Sequence, residues 1–199
     1  RSTLFPYTTL FRSLADPEIG ARLGGVAFQW AGKGAVPFIH HDHPELKIYQ
    51  SEQECGDGRN DWRYARYAWG MMRHYFNNGA SVYDYWNLAL DEGGVSRWGW
   101  SQNSFVTVDP ETAQHRFNHE YYVWKHLAHF VRAGARFAPT LSYTGYENVL
   151  AFVNPDGSVV LAAQNDMSTD MPISFGVGGR LVRLTLPADS ISTVLLPAS

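Results

Sequence analysis

From Asn60 to Asn78 the apolar residues Trp62, Ala65, Trp69, Met72 and Phe76 recur at spacings of three and four, which marks one face of an amphipathic helix. Asn60 can cap its start, and Asn78 with Gly79 its end. A run of strand length stands on either side. Before the helix, L-K-I-Y-Q-S-E sets Leu46, Ile48, Gln50 and Glu52 on one parity; after it, A-S-V-Y-D-Y-W-N-L-A-L, Ala80 to Leu90, reads as one strand. A further apolar run, Gly25 to Trp30, comes before a Gly-rich turn, and Asp16 to Gly24 reads as the end of a helix. Strand, loop, helix, strand in this rhythm predicts parallel βαβ units.

The next helical pattern covers roughly Phe117 to Arg132, with Phe117, Tyr121, Trp124, Ala128 and Val131 on one face and a stop near Gly134. Between the two helices S-F-V-T-V-D has the character of a strand on an excursion. Beyond Gly134 helical periodicity vanishes. T-L-S-Y, N-V-L-A-F-V, S-V-V-L-A-A-Q-N, M-P-I-S-F, L-V-R-L-T-L and I-S-T-V-L-L alternate between turn signals such as N-P-D-G at Asn154 to Gly157, the pattern of an antiparallel β-sandwich. The expected fold class is therefore α/β followed by all-β, with a boundary near residues 133 to 136 that separates residues 14–133 from 134–199.

Charge and composition narrow the partners. With 16 basic and 19 acidic residues the net charge is -3, and no Lys/Arg run forms a groove for phosphate, so nucleic acid is not an expected partner. No apolar stretch approaches the roughly 18 residues of a membrane-spanning helix. The lone Cys55 excludes an intrachain disulfide and leaves the compartment open. Seven Trp, with 11 Tyr and 11 Phe, exceed ordinary core needs and add modest weight to a carbohydrate partner, because flat indole faces stack on sugar rings.

The opening R-S-T-L-F-P-Y-T-T-L-F-R-S repeats T-L-F and has no signal-peptide layout. Its end resembles the translation of a sequencing-adapter oligonucleotide, ACG ACG CTC TTC CGA TCT. Residues 1–13 are accordingly set aside as an artefact, and the remainder is expected to be a C-terminal fragment of a longer protein.

Glu52 closes a strand, and in a (β/α)₈ barrel the C-terminal strand ends carry the active site. Taken together, S-E-Q-E-C-G, the helix, Y-D-Y-W-N-L-A-L-D-E-G-G and W-G-W-S-Q-N-S-F-V-T-V-D resemble the C-terminal half of glycoside hydrolase family 30, whose best-known members are glucosylceramidases. G-V-A-F-Q-W and V-N-P-D-G-S-V-V-L-A-A-Q-N fit the same family, so the resemblance runs from Leu14 to Ser199. It implies the last strands of a (β/α)₈ TIM barrel followed by the family's β-sandwich. It implies a retaining β-glycosidase, with Glu52 as the nucleophile that forms a glycosyl-enzyme. Glu54, two residues on, is the alternative nucleophile or a residue that tunes Glu52.

The resemblance also places the acid/base in an Asn-Glu-Pro motif, which this sequence does not contain, so the isolated chain is expected to be inactive and unstable. Trp86 is expected to end the eighth strand and wall the sugar subsite, with Asp84 on the same parity to hold a hydroxyl and Asn87 pointing the other way. Trp30 matches an aromatic at the sixth strand end, but Gln29 stands where glucosylceramidases have His, and Ala31 where they have Tyr, which puts the sugar in doubt. Trp98, Trp100 and Asn103 are expected to make aglycone contacts. No cofactor is implied. His40 to His43, H-H-D-H, is too compact for all four to ligate one metal, and Cys55 lacks a partner base. The competing reading is a non-catalytic carbohydrate-binding module built on the sandwich. Sugar, linkage and oligomeric state are not legible, and family members are often exported.

Overall fold

The computed structural model describes residues 6–198. It divides into two compact units, residues 1–120 and 121–199. The first begins with α1 (Pro6–Ala15) and the short α2 (Pro17–Gly20), whose start is capped by Asp16 accepting from the N–H groups of Glu18 and Ile19. Part of α1 lies in the stretch set aside as adapter, yet its Leu10 and Phe11 pack on the core; residues 1–5 lie outside the described residues.

Three strands, β1 (Gly25–Gln29), β2 (Lys47–Glu52) and β3 (Ala80–Tyr83), form a sheet in the order β1-β2-β3. Both pairings are parallel, as the βαβ rhythm predicts. A 3₁₀ segment, Trp30–Ala35, and α3 (Val36–Asp42) connect β1 to β2, and α4 (Trp62–Asn77) connects β2 to β3. Val26 and Phe28 of β1, Ile48 of β2, Val36 and Ile39 of α3 and Tyr75 of α4 close one apolar cluster. The inward face of α4 carries Ala65, Ala68, Trp69, Met72 and Tyr75. The helix starts one residue later than read: Asp61, not Asn60, is the cap, accepting from the Tyr64 N–H at 2.9 Å. It ends at Asn77 with Asn78 as its C-cap, and Gly79 then takes a positive φ of 80°.

The stretch Ala80 to Leu90 is not one strand. Pairing to β2 ends at Tyr83, and a separate strand β4 (Ala89–Asp91) joins β5 (Val106–Val108) and β6 (His115–Phe117) in a second sheet ordered β4-β5-β6. Alternation could not reveal this break, because Val82, Trp86, Leu88 and Leu90 keep one parity straight through it. Phe117 belongs to β6 and is exposed rather than helical.

Helix α5 (His119–Ala128) straddles the division between the units and is shorter than its pattern. Its buried residues are Glu120, Val123 and Leu127, while Tyr121 and Trp124 are half-buried and Ala128 is exposed. The aromatic spacing therefore marked the flank of the buried face.

In the second unit β7 (Arg136–Ala138), β8 (Val149–Val153), β9 (Val159–Asn165) and β12 (Ser190–Leu196) form an antiparallel sheet ordered β12-β9-β8-β7. β10 (Met171–Val177) and β11 (Arg180–Leu186) form a hairpin. Val149 and Ala163 of the larger sheet meet Leu186, Met171, Ile173, Phe175 and Leu184 of the hairpin, giving the sandwich core. Central β9 is buried on both faces from Val160 to Asn165, which is why its apolar run is nearly continuous. The N-P-D-G turn joins β8 to β9, with the Gly157 N–H on the Asn154 carbonyl at 2.9 Å. T-L-S-Y forms no strand, and β7, hidden in R-F-A, was not expected.

Candidate active site

Glu52 is the last residue of β2, paired across the ladder with Gln29 at the end of β1. A parallel sheet brings equivalent strand ends to one edge, so the residues that follow β1 and β2 meet there. Trp30, immediately after β1, has a φ of 42°. Its indole N–H donates to Glu52 Oε1 at 2.6 Å. A short bond from a neutral donor to a carboxylate is charge-assisted. It fixes the carboxylate's orientation while Glu52 stays half-buried and within reach of solvent.

Glu54 has a different setting. The Lys33 ammonium pairs with its Oε1, the Tyr67 hydroxyl donates to its Oε2, and the Tyr64 hydroxyl donates to its backbone carbonyl. Burial, followed by the hydrogen bond to Glu54, pushes the Tyr67 phenol well up, and burial does the same for Tyr64. Both tyrosines therefore remain donors. With both oxygens engaged, Glu54 is less available for attack than Glu52.

Lys33, Tyr64 and Tyr67 were not picked out from the sequence. The signal for the tyrosines was their spacing of three on α4, which brings both to the helix edge beside the β2 loop. A cleft of about 530 Å³ is lined by Trp30, Glu54, Gly56, Asp57, Tyr64 and Tyr67, among others. Cys55, also on this cleft, is buried, and burial raises its thiol pKa; that is the setting of an inert cysteine rather than a nucleophile.

Behind the strand ends lies a polar layer. Gln50 is buried in β2 and accepts at Oε1 from the Asp84 N–H at 2.9 Å, while the Tyr83 hydroxyl donates to buried Gln53. Asp84 thus sits just beyond β3, held by its backbone, with its side chain exposed. Trp86 is exposed too, but three residues past the end of β3 rather than at a strand end, because the β2–β3 ladder stops at Tyr83. Gln29 ends β1 and is exposed.

Trp98 and Trp100 stand on the loop closed by the Val95–Ser101 bridge, with relative exposures of 64% and 57% and ring centroids 6.3 Å apart. The Arg97 guanidinium covers one face of Trp98 at 4.6 Å. This is a surface platform.

Asn103 does not act as a surface contact. It is fully buried, and its amide is used internally: Nδ2 donates to Glu120 Oε1 at 2.6 Å, and Oδ1 accepts from the N–H groups of Gly58 and Asn60 at 2.8 and 3.3 Å. Its own N–H donates to the Cys55 carbonyl at 2.6 Å. The loop after β4 folds back under the loop after β2, so a residue read as facing solvent becomes a bracket. Glu120 was not anticipated either. Burial pushes its carboxyl up to about 7, with hydrogen bonds from its own backbone N–H and from Asn103 pulling the other way.

His40 and His41 occupy the last turn of α3, and His43 follows it with Nδ1 3.6 Å from Glu45. Among the described residues no group of three His, Cys, Asp or Glu side chains is close enough to hold a metal ion. No helix among them is long and apolar enough to cross a membrane.

Comparison with known proteins gives this arrangement a context. Residues 140–194 match the glycosyl hydrolase family 30 β-sandwich domain. A candidate glucosylceramidase of Caenorhabditis elegans is 30% identical over 136 residues, covering 63% of this chain and 26% of that protein. The lysosomal acid glucosylceramidase of Mus musculus is 24% identical over 177 residues, 81% of this chain and 34% of that enzyme. The chain thus spans about a quarter to a third of the length of these relatives. The crystal structure of SrfJ from Salmonella typhimurium covers 95% of this chain and 44% of its own, with a TM-score of 0.84 and 28% identity. The catalytic domain of a family 30 xylanase C from Talaromyces cellulolyticus shares the fold at a TM-score of 0.71 and 18% identity, covering 95% of this chain and 48% of its own. With residues 140–194 matching the family's β-sandwich domain and its fold shared along nearly its whole length, the chain is similar to the C-terminal part of glycoside hydrolase family 30 proteins.

Proposed function

We propose that this chain carries the nucleophile half of a retaining β-glycosidase, and that its three parallel strands are part of a (β/α)₈ barrel. The observation that carries the reading is Glu52: a strand-end carboxylate, half-buried, with its Oε1 held by the Trp30 N–H at 2.6 Å. An oriented carboxylate of this kind can attack an anomeric carbon, and the glycosyl-enzyme it forms is then released by water. That chemistry needs a second carboxyl about 5 to 5.5 Å away as acid/base. Glu54 is a poor candidate, because Lys33 and Tyr67 hold both its oxygens. By the family resemblance the acid/base is assigned to an Asn-Glu-Pro motif, which this sequence does not contain. Trp86, Asp84 and Gln29, exposed near the same strand ends, are proposed to contact sugar, and Trp98 with Trp100 a more distant part of the substrate.

The test is covalent trapping on the longest available form of the protein. A 2-deoxy-2-fluoro aryl β-glycoside should leave a sugar on the peptide containing Glu52. Glu52→Gln should lower turnover of an ordinary aryl β-glycoside by at least about a thousandfold. Label on Glu54, or activity retained in Glu52→Gln, would remove the assignment. Sugar binding with neither label nor turnover would favour the binding-module reading.

A further inference from the structure

Glu120 is a carboxyl in an unusual setting. It is fully buried at the start of α5, its Oε1 receives the Asn103 amide, and its Oε2 is buried without a hydrogen-bond partner. The charged groups that act on it across the packing are Asp57 and Asp61, both acids, ahead of and at the cap of α4. Arg63 and Arg59 are turned onto those two acids instead, the Arg63 guanidinium 2.8 Å from Asp57 and 3.7 Å from Asp61 and that of Arg59 3.7 Å from Asp57. Tyr64 of α4 and Tyr85 beyond β3 also feel the charge of Glu120, and burial keeps both phenols protonated. His119, its chain neighbour, faces the Trp62 ring edge-on at 5.7 Å.

The other end of Asn103 does structural work. Its Oδ1 takes the N–H groups of Gly58 and Asn60, and a Cβ built on Gly56 would lie 2.5 Å from Asn103 Cγ. The loop between β2 and α4, which walls the cleft beside Glu54, is therefore seated directly on this side chain. Asn60 returns the contact by accepting the Ser104 N–H at 2.9 Å.

We propose that Glu120 is a positioning residue of the cleft, held as a neutral acid, and that losing its proton unseats Asn103 and frees the loop of residues 56–60. The physical reason is that an ionised carboxylate in a buried site, faced by acids and lacking a cation, can lower its energy only by admitting water or a counter-ion. The Asn103 hydrogen bond favours the charged form, but burial outweighs it, and water that reaches Glu120 Oε1 competes for the donor Asn103 Nδ2. This inference rests on the reading of the cleft as the substrate site, but the switch itself does not require hydrolysis.

Amide hydrogen exchange on the full chain tests it. After correction for the intrinsic pH dependence of exchange, protection at Gly58 and Asn60 should fall about tenfold between about pH 5 and about pH 9, the scale of one buried hydrogen bond. The midpoint should lie near the value of about 7 to which burial raises Glu120. Glu120→Gln should abolish the step and keep protection at the low-pH level. Carbon-13 observation of the glutamate carboxyls in the unsubstituted chain gives an answer even if that variant fails to fold: one carboxyl should titrate near neutrality. Protection that does not change with pH, a step that persists in Glu120→Gln, or no glutamate titrating above about pH 6 would each overturn the proposal. None of these readouts depends on turnover, so failure of the glycosidase assignment would be seen separately.

Discussion

Glu120→Gln should destabilise the chain in acid and stabilise it at alkaline pH. In the folded protein burial raises this carboxyl from an ordinary 4.5 to about 7. Between those values the folded state binds a proton that the unfolded state has released, so stability falls as pH rises through the window. Below 4.5 both states are protonated and there is no penalty. Above 7 both are ionised and the full penalty applies, about 3 kcal/mol at about 1.4 kcal/mol per pH unit. Glutamine cannot titrate. It keeps an oxygen for Asn103 but adds a buried amide N–H₂ where Glu120 Oε2 has no partner, at a cost of about 1 kcal/mol or more. The two stability curves should therefore cross, the variant weaker near pH 4 by about 1 kcal/mol and stronger near pH 8.5 by about 2 kcal/mol. Urea titrations of both proteins at matched pH, followed by tryptophan fluorescence, give the difference directly, and the remaining titrating groups largely cancel in it. A difference that stays constant across the range, or moves against the variant as pH rises, would show that Glu120 reaches solvent or a cation and would refute the reasoning.

Trp30→Phe keeps a ring at the cleft but removes the N–H on Glu52. A hydrogen bond to a charged group is worth about 1.5 to 3 kcal/mol, so kcat/KM of the active protein should fall roughly ten- to a hundredfold; an unchanged value would mean that the bond does not orient Glu52. Asp61→Ala removes the acceptor for the Tyr64 N–H at the start of α4 and should cost about 1 kcal/mol, read from urea midpoints, whereas Asn60→Ala should instead loosen the link to Ser104. Gly56→Ala adds a Cβ at a φ of 71° and against Asn103; hydrogen exchange should show the 56–60 loop opened while the β1-β2-β3 sheet keeps its protection.

The parts legible in sequence were those fixed by local periodicity. The face of α4 follows from Ala65, Trp69 and Met72, and the parity of β2 from Ile48 and Gln50, because each pattern is read against a neighbouring layer. Glu52 could be found because it ends such a strand. The Trp86 position and the Asn103 role were misread for a shared reason. Where a strand stops pairing, and which loop folds under which, depends on contacts between residues far apart in sequence: Asn103 meets Gly58 across 45 positions. Glu120 escaped notice because an acid in the first turn of a helix is an ordinary surface residue by pattern, and only the packing around it shows that it is buried. The breadth of α5's aromatic stripe misled in the same way, since Val123 and Leu127, not its larger residues, face inward.

The three-stranded parallel sheet has a further implication for handling the protein. β1 and β3 lie at its two margins, and among the described residues each leaves one row of main-chain donors and acceptors without a neighbouring strand in the ladder. Such margins are templates, and β3 also turns Val82 toward solvent. Any extended segment that reaches them can add to the sheet, whether it comes from the same polypeptide, a second molecule or an unrelated chain. What completes those two rows will determine whether a preparation stays dispersed at high concentration or grows by strand addition.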